Sequence, residues 1–277
     1  MVTDLESASG RTRPPETTWS VTPMCCGVLE GIPEIVALYG LEQGGEIDVP
    51  VLSWLLRAEG LTVLVDTGPT STESAKEKHG RTLNQAEGNT LSEQLRALGV
   101  ALEDVDYIIN THLHWDHCAG NRLFPSIPIH VQREEIRFAT APIPTQLRAY
   151  EAFQLGNIPP WVECAPQFVL ADGPVTLAPG LSLIPLPGHT PGSQGVLIRT
   201  NEGEVCITGD LLDTYENWNG RLPGWPEWVV GIPPGIHTDL DAWYRSVREL
   251  RARGIEVIPA HDWAVLRHGP IGGQGRS

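Results

Sequence analysis

The sequence predicts an α+β fold in which stacked β-sheets are covered by helices. Three observations predict it: a group of short apolar strands before residue 131, a second such group after residue 167, and segments of helical period between and after them. No repeat or linker divides the 277 residues, and layered folds of this length commonly form around one core. The expected organisation is a flexible arm over residues 1–20 and one domain over 21–277.

Each element follows from local pattern. The β-type runs IVALYG at 35–40, VPVLSWLLR at 49–57 and LTVLVDTG at 61–68 open the fold, the last ending in an Asp-Thr-Gly turn. LSEQLRALGV places apolar residues at helical spacing from Leu91, with Thr90 as cap and Gly99 as stop. The strand VDYIIN at 105–110 then delivers the chain to His112. IPIHV at 127–131 is a strand, and QREEIRFA and TQLRAYEAF are two helices divided by the Pro-rich APIP. QFVL, LSLIPL, GVLIRT and EVCITGD form the second strand group. A Trp- and Pro-rich loop, a helix over TDLDAWYRSVRELRARG and a last strand, IEVIPAHD, complete the chain.

Composition excludes several classes of function. Hydrophobic residues make up 41% and charged residues 19%, and no apolar run approaches the roughly 20 residues of a membrane span. The first twenty residues lack the basic start and apolar centre of a secretory signal, so the expected location is the cytoplasm. Five cysteines, an odd number without a CxxC pair, read as reduced thiols. A net charge of -15, with Lys76 and Lys78 the only lysines, argues against nucleic acid as a partner and for a small neutral substrate.

The stretch THLHWDHCAGN from Thr111 crowds three histidines and an aspartate into six residues. His112 and His114 in an extended segment point the same way, whereas Asp116 and His117 turn into a second direction. One ion could hardly use all four, so the spacing points to two adjacent ions. Further ligands stand at three strand-to-loop junctions: His189 in LPGHTPGS, Asp210 in ITGD and His261 in PAHD. The resulting assignment gives His112, His114 and His189 to one ion and Asp116, His117 and His261 to the other, with Asp210 bridging. Asp66 of VDTG is expected to orient a ligating imidazole through its other nitrogen.

THLHWDH, GHTPGS, the ITGD aspartate and the PAHD histidine, preceded by VLVDTG, resemble the signature stretches of the metallo-β-lactamase superfamily, in order, across about residues 50–265. The resemblance implies an αββα sandwich with its metals at one edge of two facing sheets. Within the superfamily, DTGP, IINTHLHWDHCAGN, HVQREE, GHTPGSQ and the short tail after His261 look like N-acyl-homoserine lactonases and the related pyridoxolactonase. What that implies is a hydrolase with two zinc ions per chain, other divalent metals being compatible, that opens a lactone or related ester by attack of a metal-bridging hydroxide. Quorum quenching and a homodimer are implied with it. Asp116 and Asp210 are the expected catalytic residues, Asp116 ferrying a proton to the leaving oxygen.

One position departs from the lactonases: the tyrosine three residues after their bridging aspartate is Asp213 here, with Tyr215 two residues further on. Asp213, Tyr215 and the loop residues Trp218, Trp225 and Trp228 are the candidates for substrate contact. A thioesterase of the glyoxalase II type is the nearest rival, disfavoured by the scarcity of lysine. A mononuclear iron dioxygenase on the same fold would use only one ligand subset. The zinc-binding cysteine of common β-lactamases is replaced by Asp210.

Overall fold

A computed structural model describes residues 17–41, 44–69, 71–152, 156–222, 224–226, 228–229 and 231–272. Most of the expected arm, 1–16, lies outside the described residues; Trp19, near its end, is fully buried. β1 (Ser20–Pro33), β2 (Glu46–Ala58), β3 (Leu61–Val65), β4 (Thr82–Asn84), β5 (Tyr107–Ile109), β6 (Ile129–Gln132) and β7 (Phe168–Ala171) form one sheet in the order β4-β1-β2-β3-β5-β6-β7. The second sheet runs β12-β11-β10-β9-β8, from β8 (Val175–Ala178), β9 (Leu181–Pro185), β10 (Gln194–Arg199), β11 (Glu204–Ile207) and β12 (Glu256–Ile258). Both sheets are mixed: β3, β5, β6 and β7 pair in parallel, as do β11 and β12, while the remaining ladders are antiparallel.

The alternation of side chains along each strand decides the layering. Trp54, Leu56, Val63, Val65 and Ile109 of the first sheet meet Leu183, Val196, Ile198, Val205 and Ile207 of the second in one buried cluster between the sheets. Their neighbours in sequence point outwards. Leu55, Leu64 and Ile108 pack on the helix Leu91–Ala97, and Leu197 and Cys206 pack on Trp243, Val247 and Leu250 of the helix Leu240–Arg253. The order is therefore helix, sheet, sheet, helix. Each fully buried aliphatic or aromatic side chain at these contacts stabilises the layers by about 1.5–3 kcal/mol.

Helix ends follow the expected chemistry. Thr90 and Glu93 form a reciprocal capping box, and Gly99 follows the helix at φ 69°. Asp239 caps Leu240–Arg253 by accepting from Ala242 N, and Gly254 ends it in the left-handed region.

Two expected segments take another form, and the strands β1, β4 and β8 were not expected at all. IVALYG is not a strand: Glu34–Ala37 is a single helical turn. Pro33 ends β1 without the N–H that would continue its ladder, and Glu34 exchanges hydrogen bonds with Gly45 through its backbone N–H and its carboxylate. TQLRAYEAF is a series of turns, with Phe153 outside the described residues. Its bonds alternate in span, Tyr150 N to Gln146 O at 3.2 Å and Glu151 N to Arg148 O at 3.0 Å. Glu151 sits at φ 53° and is fully buried, held there by Lys78 and by His79, whose Nε2 lies 3.2 Å from Glu151 Oε1. Gln146, Tyr150 and Glu151 are all buried in this turn series.

Candidate metal centre

The seven expected ligands come from three strand ends and one loop. β5 ends at Ile109 and leads through Thr111 to His112 and His114, after which Trp115–Cys118 forms one helical turn carrying Asp116 and His117. His189 lies in the loop from β9 to β10, Asp210 follows β11, and His261 follows β12. Gly192 makes the His189 loop possible: a Cβ there would lie 2.1 Å from Glu135 N, so only hydrogen fits between the two backbones.

The structure brings all seven together. His112, His114, His189 and Asp210 present ligand atoms within 4.8 Å of one another, and Asp116, His117 and His261 form a second such group. The two oxygens of Asp210 face different partners. Oδ2 lies 3.7 Å from His112 Nε2 and 3.4 Å from His189 Nε2, while Oδ1 lies 3.1 Å from His117 Nε2 and 3.3 Å from His261 Nε2.

The rings are held from behind. Asp66, at the end of β3 and at φ 55°, places Oδ2 2.8 Å from His117 Nδ1 and accepts from Thr111 N and Oγ1, each at 2.8 Å. Thr111 Oγ1 in turn lies 3.1 Å from His112 Nδ1. The backbone carbonyl of Ile236 lies 2.7 Å from His189 Nδ1, and that of Pro50 2.9 Å from His261 Nδ1. These contacts aim the opposite nitrogens at Asp210.

The residues fit a metal. Nε2 of His112, His114 and His117 and Oδ1 of Asp210 are buried with no partner in hydrogen-bond geometry, an arrangement that costs about 1–3 kcal/mol per atom unless something accepts them. Burial first, and then the neighbouring imidazoles, push His112 and His114 well below the usual histidine range, and burial lowers His189. A neutral imidazole offers its lone pair to a cation without first losing a proton. Burial alone would raise the Asp210 carboxyl, but His117, His261 and His112 outweigh it and hold it well below the carboxylate range. Against their own burial, Asp210 raises His117 well above its ordinary value and His261 to about 9.

A cavity of about 660 Å³, counted with the space at its mouth, opens on this cluster and exposes Asp116, Asp210 and His261 to it. Its walls are mainly carbon, from Ile32, Val36, Val49, Trp115 and Ile236. Asp213 lines it too, half-buried, with Oδ1 buried and unpartnered and its carboxyl pushed well up by burial and then by Asp210.

The other residues expected to contact substrate stand elsewhere. Tyr215 borders a different cavity beside Trp54 and packs on the core between the sheets, its N–H donating to Asp262 at 2.8 Å. Trp218 packs towards the helix Leu240–Arg253, with Arg251 4.0 Å from its ring centre. Trp225 is 40% and Trp228 82% exposed, and neither lines the cavity. Aromatic content marked this loop, but it carries no periodicity from which facing can be read.

Two groups near the site escaped sequence reasoning. Glu135 in the HVQREE segment is fully buried and accepts from Leu113 N at 2.9 Å, Tyr150 Oη at 2.5 Å and Thr190 Oγ1 at 2.6 Å, tying the two histidine loops together. Arg81 lines the cavity from the start of β4. Two adjacent glutamates after a strand were the only signal for the first, and nothing local distinguished the second.

Residues 47–261 match the family model described as the metallo-beta-lactamase superfamily. The chain is similar to an N-acyl homoserine lactonase of a Bacillus species, 34% identical over an alignment 194 positions long that covers 66% of this chain and 72% of the relative. An N-acyl homoserine lactonase of Bacillus cereus is 35% identical over 196 residues, again 66% and 72% of the two chains. A crystal structure of a quorum-quenching N-acyl homoserine lactone lactonase superposes with a TM-score of 0.67 at 25% identity, covering 90% of this chain and 95% of the other. A hydrolase of N-acyl homoserine lactone with product bound shares the fold at a TM-score of 0.70 and 23% identity, over 91% and 96% of the two chains.

Proposed function

The chain belongs to the metallo-β-lactamase superfamily, and on that premise we propose that it is a dinuclear zinc hydrolase that opens lactones of the N-acyl-homoserine type. The observation that carries this reading is Asp210, turning one oxygen to His112 and His189 and the other to His117 and His261, beside the buried Nε2 atoms of His112, His114 and His117 that have no partner in hydrogen-bond geometry. The names of the two Bacillus relatives support the substrate class. Five cysteines without a disulfide support a reducing, cytoplasmic location, and among the described residues no helix is long and apolar enough to cross a membrane.

In this reading His112, His114 and His189 would hold one ion, Asp116, His117 and His261 the other, with Asp210 shared between the two groups. When bound, zinc supplies Lewis acidity, lowering the pKa of water from about 15.7 to about 7 and polarising a carbonyl. The chain's own part is to orient and to move protons. Asp66 and Thr111 fix the rings of His117 and His112. Asp116, lining the cavity, would carry the proton released by the attacking water to the departing alcohol oxygen. The carbon walls exclude water around the acyl arm. Asp213 puts a carboxyl where the lactonases carry a tyrosine.

A hydrolysis panel on metal-quantified protein tests the reading. Homoserine lactones of several chain lengths are compared with aromatic lactones, simple esters and a glutathione thioester by proton release. Fastest release from a homoserine lactone is expected; preference for the thioester would replace the proposal with the glyoxalase II type.

A further inference from the structure

Among the described residues lining the cavity, Arg81 is the only arginine or lysine. Its position is fixed on both sides. Gly80, in the left-handed region at φ 63°, closes the turn Ala75–His79, and Arg81 N donates to Ala75 O at 3.1 Å. Thr82–Asn84 then pairs with Val28–Glu30 of β1, beside Leu29 and Ile32 of the same cavity wall. The Arg81 side chain is half-buried and has no ion pair or hydrogen bond among the described residues. A guanidinium removed from much of its water, with carbon beside it, is stabilised by an acceptor that enters the cavity.

We propose that Arg81 grips a carboxylate carried by the substrate on the arm that extends away from the scissile ester, so that the preferred substrates are lactones with an anionic acyl chain. This rests on the lactonase reading above and replaces the small neutral substrate expected from net charge with an acidic one. Net charge misleads here because it averages over the surface, whereas recognition is decided at one cavity wall. Guanidinium and carboxylate match through two parallel charge-assisted hydrogen bonds, which a lysine would reproduce only as a point charge.

The test uses zinc-loaded full-length protein and two homoserine lactones, one with a hexanoyl and one with an ω-carboxyhexanoyl chain. In the unaltered protein KM for the carboxylated lactone is expected to be about tenfold lower or better. Arg81→Gln abolishes that advantage, raising its KM far more than it changes kcat, and Arg81→Lys restores part of it. Equal KM values for the two lactones, or an Arg81→Gln change that affects both equally, would overturn the proposal. Calorimetric binding of heptanedioate against hexanoate separates the two readings if neither lactone is opened. About tenfold tighter heptanedioate binding, lost in Arg81→Gln, then upholds Arg81 while the lactonase reading fails, and equal binding overturns Arg81 as well.

Discussion

Asp66 Oδ2 stands 2.8 Å from Nδ1 of His117, and both side chains are fully buried. The same carboxylate accepts two bonds from Thr111, which touches His112, so one residue outside the proposed ligand set orients a ring in each ligand group. Asp66→Asn keeps the size and tolerates the positive φ but replaces an acceptor with a donor. Zinc affinity is expected to fall by about 10–100-fold, measured by competition with a chromophoric chelator. Unchanged affinity would reduce Asp66 to a brace for the turn.

The backbone approach at Gly192 gives a second prediction. A methyl group there meets Glu135 N and Cα at 2.1 and 2.3 Å, backbone atoms that have no side-chain freedom with which to yield. Gly192→Ala is expected to destabilise the protein by about 3 kcal/mol and to displace His189, so that zinc content falls as well. Denaturant unfolding and metal analysis on the same sample check both. Near-normal stability would show that the loop has room the structure denies it.

Glu151 sets an acid limit on stability. Burial alone would raise its carboxyl, but hydrogen bonds with His79 and Lys78 outweigh that and leave it below the ordinary value. A lowered acid contributes stability in full above its unfolded pKa, about 4.3 for glutamate, and loses it as pH falls through the folded value. Glu151→Gln should therefore cost about 2 kcal/mol at pH 7, and the gap to the unaltered protein should narrow below about pH 4. A gap that stays constant across this range would contradict the assignment. Because His79 stacks on Trp115 of the cavity wall, with ring centres 4.1 Å apart, KM is expected to rise in the same variant.

What was legible in the sequence was local. The caps at Thr90 and Gly99 were readable because a cap and its partner lie within a few residues. So was the division of His112 and His114 from Asp116 and His117, which follows from an extended segment running into a helical turn. IVALYG and TQLRAYEAF misled because periodicity is blind to Pro33 breaking a ladder, or to a buried Glu151 answered by Lys78 and His79 from 73 and 72 positions away. The roles of Arg81 and Glu135 could not be read for the same reason: their significance lies in neighbours that only the packed sheets supply.

Zinc content and lactone opening, measured together on Asp210→Ala and the unaltered protein, test the central claim most directly. The account predicts two zinc ions per chain in the unaltered protein. It predicts at most one in the variant, with hydrolysis lost in step and the circular dichroism of a folded protein retained. Full turnover by a variant that holds no metal would contradict it.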